Sequence, residues 1–340
     1  FSDAVHLQPD EPAPRQNLEV IGRRIITLTD ALAEHKEQNL TAQLDELVQH
    51  QRQLANLLQG TVQRVAVLPQ ATIPDHLRSE FRGLEVEQRQ LLAQVDEVAQ
   101  LVREESGRLE ETPEEQRDAQ QQMQIAQLRT VQAFLYQAEQ RMGQTRRHMR
   151  ARQAERAYRR ASAALGELKR ARDQLRNLVE ALTALITDAI SLAEQTALYA
   201  AHSQQTLQTE HAMPEKPGWL TWEFVEDSLA TVRARTDELV ARVDLGLASA
   251  QTKTDDNPGS STPSTPSEAS EGRETAKELL TILQEASPLF HGARQAFDES
   301  AAALTSKRYE ETYQTQALAI SDLLKARELF LDIRGLIEAM

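Results

Sequence analysis

The second half of this chain rewrites part of the first, and a copied unit restricts the fold more than composition can. Pro74, Leu77, Glu80 and Phe81 recur as Pro217, Leu220, Glu223 and Phe224, an offset of 143 residues. Farther along the offset is 155: Glu155, Tyr158, Ala164, Leu168, Ala171 and Arg172 return as Glu310, Tyr313, Ala319, Leu323, Ala326 and Arg327. The jump of 12 falls where the second copy carries a Ser/Thr/Pro-rich insert. Residues 74–186 and 217–340 therefore read as two versions of one unit.

That unit is helical. Ala, Leu, Gln, Glu and Arg dominate, whereas aromatic residues make up 4% and glycines number 12, which argues against compact mixed α/β domains. In the first copy one helix runs from about Asp75 to Leu109, with Leu77, Phe81, Leu84, Leu91, Val95 and Val98 on its inner face. Thr112-Pro113-Glu-Glu115 predicts the start of a second helix, with a Thr cap, Pro in the first turn and acids near the positive end of the dipole. Ala161, Leu168, Leu175, Leu182 and Ala189 repeat every seven residues beside Ala157, Ala164, Ala171, Leu178, Leu185 and Leu192. This predicts one unbroken helix from Arg152 to Ala200, roughly 73 Å long at about 1.5 Å per residue, packed in coiled-coil fashion.

The expected architecture is all-α: an elongated bundle of about eight coiled-coil-like helices with an internally duplicated three-helix unit. Residues 1–15 form an exposed leader, such as follows a cleaved signal peptide or membrane anchor, or a fragment boundary. Residues 16–73 form a two-helix lead-in whose second helix is capped at Asn39-Leu40-Thr41. Unit one covers 74–212 and unit two 213–340, packed coaxially or side by side, with a disordered loop at 252–272.

Chemistry-bearing motifs are scarce. There is no cysteine, no phosphate-binding glycine pattern, no Gly-x-Ser-x-Gly and no Glu-x-x-His or His-Glu-x-x-His pair, so no cofactor or metal is expected and catalysis is disfavoured. The net charge of −14 argues against nucleic acid as partner of the whole molecule. The most apolar run, Leu178 to Ala201, contains Glu180, Asp188 and Glu194, each costing about 2.5–3.5 kcal/mol at bilayer depth, so a membrane would be met only through an anchor outside this chain.

Two features separate the copies. Between Arg141 and Arg176 stand twelve basic and three acidic residues; the equivalent stretch 296–331 holds four and six. The fold does not need the basic cluster, since its sister lacks it. Either nearby acids neutralise it internally, or Arg146, Arg147, Arg150, Arg152, Arg156, Arg159 and Arg160 present a surface to an acidic partner or anionic headgroups, with nucleic acid disfavoured because no aromatic residues interleave. Trp219 and Trp222 replace His76 and Ser79 of the first copy, as core packing or, if exposed, as partner anchors.

The last hairpin, Ala301 to Tyr309 followed by Gln316 to Ala326, resembles a tetratricopeptide helix pair. Leu84-x-x-x-x-Gln-x-x-Leu91-Leu and the Ala/Gln/Leu-rich helices resemble uncharacterised helical bacterial envelope proteins encoded with MoxR-type ATPases and von Willebrand-domain proteins. That resemblance implies a periplasmic or envelope location and transfers no site residues. The expected function is a non-catalytic scaffold or adaptor that binds another protein, with homo-oligomerisation open. The alternative is an extracytoplasmic sensor or ligand-binding domain, which requires a pocket between the units.

Overall fold

Long runs of helix formers with apolar residues three and four apart give helices and nothing else among the described residues. The computed structural model describes residues 12–66, 73–205, 216–255 and 268–338, with side chains described for 39–66, 73–203, 216–248 and 280–331. The helices are α1 (Pro12–Ala66), α2 (Asp75–Glu110), α3 (Ala119–Arg150), α4 (Ala154–Leu175), α5 (Leu178–Gln205), α6 (Trp222–Asp255), α7 (Glu268–Thr305) and α8 (Tyr309–Glu338).

They close into two rings. α1 packs on α2, α2 on α3, α3 on α4 and α4 back on α1; α5 to α8 repeat that circuit. Each ring is a four-helix bundle with an interior of Leu, Val, Ala and Phe, such as Leu44, Leu84, Leu135 and Leu168 in the first and Leu229, Phe290, Phe297 and Leu323 in the second. α4 also packs against α6, and this contact joins the bundles.

Three expectations about boundaries change. The two-helix lead-in is a single helix: Asn39 lies inside α1, where Gln43 Nε2 donates to its side chain one turn on. One weak helix former costs well under 1 kcal/mol, too little to break a stripe continued by Leu40, Leu44, Leu47 and Val48. Thr112-Pro113 does not begin α3. It leads into a short 3₁₀ turn at Glu114–Gln116, and Asp118 caps α3 by accepting from Gln121 N at 2.7 Å. Arg117 meanwhile donates to the carbonyls of Thr112 (2.7 Å) and Glu110 (2.8 Å), holding the end of α2.

The third change is the largest. The heptad pattern from Arg152 to Ala200 crosses a reversal of the chain. Arg176 is extended at φ −81°, ψ 153°, Asn177 caps α5 by accepting from Glu180 N at 2.8 Å, and α5 runs back beside α4, so that Lys169 meets Asp188 at 2.7 Å. The freed carbonyls at the end of α4 find other donors. Arg242 of α6 donates to Asp173 O and Arg176 O at 2.8 and 2.9 Å, and Gln127 of α3 donates to Gln174 O. α5 is therefore the first helix of the second bundle. Of the expected loop at 252–272, residues 252–255 and 268–272 are helical and the rest lies outside the described residues.

Two turns have the same geometry. Arg152, between α3 and α4, and Lys307, between α7 and α8, both adopt a left-handed backbone (φ 56° and 58°). Around each, the next residue's N–H reaches back to the same position of the preceding helix: Gln153 N to His148 O and Arg308 N to Ala303 O, both 2.9 Å.

Candidate functional site

Two regions gather charge: the end of the first bundle around the α3–α4 turn, and the seam between the bundles.

At the bundle end, Glu85 of α2 accepts from Arg146 (3.1 Å) and Arg150 (2.7 Å) of α3 and from Arg89 one turn along α2 (3.5 Å). The hydrogen bond from Arg150 is the largest of the influences that pull its carboxyl down to about 2. Arg159 of α4 donates to Asp227 of α6 at 2.9 Å, tying the bundles together. Thus Arg146, Arg150 and Arg159 each have a carboxylate partner, although Arg146 and Arg150 share Glu85 and the buried Arg146 Nε has no hydrogen-bond partner among the described residues. Arg147, Arg152 and Arg156 are exposed and Arg160 half-buried, and among the described residues no carboxylate stands within ion-pair distance of these four. Pairing and surface presentation thus coexist, divided residue by residue. α2 adds cations that the one-dimensional cluster could not show: Arg78 and the exposed Arg82 line a groove of about 240 Å³ with Glu85, Arg150 and Arg152.

Trp219 and Trp222 both turn inward. Trp219 is 9% exposed and meets Tyr158 edge-on (ring centroids 6.1 Å) and Phe224 (5.5 Å); Trp222 is half-buried against Tyr309 (6.2 Å). Neither stands out as a surface anchor. At the 143-residue offset, His76 and Ser79 are exposed, and nothing among the described residues packs over that side of α2. Trp219 instead seats the start of the second bundle on α4. There Gly218 passes so close to Ala66 that a Cβ on it would lie 2.7 Å from the alanine methyl.

The seam holds a buried ionic cluster. Asp173 of α4 accepts from Arg172 on one oxygen (2.9 Å) and from Arg235 of α6 on the other (2.6 Å); Arg235 also donates to Asp188 of α5, which receives Lys169 of α4 at 2.7 Å. Asp45 of α1 takes Arg176 at 2.7 Å, with Arg172 at 3.7 Å. The Arg235 side chain is 2% exposed. Burial alone would lower its affinity for a proton, but Asp173 and Asp188 outweigh this and raise it. Burial likewise pushes Asp188 up, while Lys169 and Arg235 prevail and hold it below the ordinary carboxylate range. A signal for this cluster exists in the sequence: Arg235 interrupts the apolar stripe Leu229, Val232, Leu239, Val240, and a charge in such a stripe needs a buried partner.

Above the cluster lies a cleft of about 360 Å³ lined by α1, α4, α5 and α6. Close contact beside it depends on Gly166, whose Cβ would stand 2.8 Å from Thr231 Cγ2. Among the described residues there is no group of three or more His, Cys, Asp or Glu able to hold a metal ion, and no helix is long and apolar enough to cross a membrane. Comparison with known proteins finds no matching family model, no matching curated protein and no matching solved structure.

Proposed function

We propose that this protein is a non-catalytic helical scaffold or adaptor that captures an acidic segment of another protein on the arginine-rich end of its first bundle. The observation that carries this reading is the set of Arg147, Arg152, Arg156 and Arg160, all without a carboxylate partner among the described residues in a chain of net charge −14. With acids this abundant, a purely structural cluster would be paired from within, as Arg146, Arg150 and Arg159 are. Arginine also recognises paired carboxylate oxygens better than lysine does, because its planar fork can donate to both at once.

The two bundles are read as copies of one four-helix unit, elongated and packed in coiled-coil fashion, with α5 matching α1. The equal left-handed turns at Arg152 and Lys307, 155 residues apart, support that reading, as does the burial of both Leu77/Phe81 and Leu220/Phe224. An envelope location follows from the resemblance of the Ala/Gln/Leu helices.

The test is fluorescence anisotropy with a labelled oligoglutamate peptide at low and physiological salt. Binding should weaken with salt and fall at least about tenfold when Arg147, Arg152, Arg156 and Arg160 are all changed to Glu, with circular dichroism unchanged. Undiminished binding by that variant overturns the assignment. So does an oligonucleotide that competes the peptide off at equal charge, since the surface is then a general polyanion site.

A further inference from the structure

The seam cluster contains more buried positive charge than its carboxylates can answer. Asp45, Glu167, Asp173, Asp188 and Glu238 face Arg170, Arg172, Arg176, Arg235, Arg242 and Lys169, with Arg52 at the rim. The carboxylates are already engaged: Asp173 uses both oxygens and Asp188 both of its own. Lys169, only 12% exposed, places one of its three protons on Asp188 and has no second partner among the described residues. Burial drives its ammonium below the ordinary lysine range; Asp188 opposes this, and Arg235 and Arg52 add repulsion. A half-satisfied buried ammonium of this kind is destabilising until an anion meets it.

The cleft above Lys169 is the right size for such an anion and has a definite chemical character. Its volume of about 360 Å³ lies in the range of small-ligand sites. Its walls carry the hydroxyls of Ser162, Thr187, Ser191, Ser228 and Thr231 from three helices. At one end the rings of Tyr158 and Phe224 stack, with centroids 5.2 Å apart, and offer a flat apolar edge. Cation below, hydroxyls along the walls and an aromatic end suit a molecule with one anionic group, several hydroxyls and an apolar C–H face.

We propose that the interbundle cleft is a binding site for a small hydroxylated anion of the sugar-acid or sugar-phosphate class, its anionic group held by Lys169 and Arg52 and its hydroxyls by the serine and threonine walls. The site draws on α1 and α4 of one bundle and α5 and α6 of the other, so occupancy ties their relative position to the ligand.

Isothermal titration calorimetry on the full chain tests this with glucose 6-phosphate, gluconate, glucose and inorganic phosphate as probes. At least one of the two anionic polyols should bind with Kd below about 1 mM, and glucose and inorganic phosphate at least about tenfold more weakly. Tighter binding of glucose 6-phosphate identifies a phosphate site, and of gluconate a carboxylate site. Lys169→Met should reduce that binding at least about tenfold. Ser228→Leu, which fills the cleft and leaves the ionic cluster intact, should do the same even if Lys169→Met disturbs folding. The proposal is overturned if neither anionic polyol binds, if Ser228→Leu binds as tightly as the parent, or if inorganic phosphate binds as well as the polyols.

Discussion

α4 and α8 occupy the same place in their respective bundles and differ in what lies beyond them. Ala164, Leu168 and Ala171 of α4 and Ala319, Leu323 and Ala326 of α8 are all fully buried at the 155-residue offset. Tyr158 and Arg172 are buried as well, yet Tyr313 is 43% exposed and Arg327 only half-buried. The shared residues of the first group pack inside their own bundle. The second group diverges because α4 has α6 and the second bundle against its outer side. At the same offset, residues on that side differ: Gly166 stands against Ser321 and Lys169 against Leu324, while Asp173 has the longer Glu328.

This contrast is broken most severely at Asp173. Removing its carboxylate leaves Arg235, 2% exposed, with Asp188 alone and Arg172 with Asp45 at 3.7 Å, and breaking a buried ion pair by removing one partner costs about 3–5 kcal/mol. Asp173→Ala should lose that much in urea denaturation. Glu328→Ala, at the exposed matching site, should stay within about 0.5 kcal/mol of the parent. Equal costs at both sites would show that the seam does not distinguish α4 from α8.

How much of this was legible follows from the same division. Helical period, inner faces and the matched Leu and Ala positions reflect contacts within one bundle, and local spacing reports these. The reversal at Arg176-Asn177 left no mark in the heptads, because both α4 and α5 bury a stripe and their stripes happen to stay in register across the turn. The only local hints were Asn177, a good cap, and Arg176 before it. The arginine cluster was visible as a run, but its division into paired and unpartnered members was not: Glu85 and Asp227, which pair with Arg146, Arg150 and Arg159, lie more than 60 residues away in sequence. The interbundle cleft was foreseeable only as a requirement of the sensor alternative.

Gly166 gives a smaller break in the same contrast. An alanine there would place its Cβ 2.8 Å from Thr231 Cγ2, so α4 and α6 must move apart or Thr231 must change rotamer. Overpacking of this sort costs about 1–3 kcal/mol. Thr231→Ala removes the obstructing methyl, and the double variant should recover most of the loss, whereas Ser321→Ala on α8 should be near neutral. A Gly166→Ala loss that Thr231→Ala does not relieve would place the strain in α4 itself rather than at the seam.

The smallest expected effect concerns the arginine-rich end, which has no acidic anchor in the second bundle: the position matching Glu85 is Ser228. Arg150, Arg146 and Arg89 hold the Glu85 carboxyl at about 2, against an ordinary value near 4.5. A carboxyl whose folded value is depressed adds stability that is fully present above its unfolded value and disappears as pH falls toward the folded one. The window is therefore about pH 4.5 down to 2. Glu85→Gln should cost about 1–2 kcal/mol at neutral pH, where charge-assisted hydrogen bonds are lost, and almost nothing near pH 2. Thermal melts of parent and variant between those limits should converge as acid is added. Parallel curves would mean that Glu85 serves as a spacer between the arginines, and that the first bundle, like the second, needs no charge at this end to hold its shape.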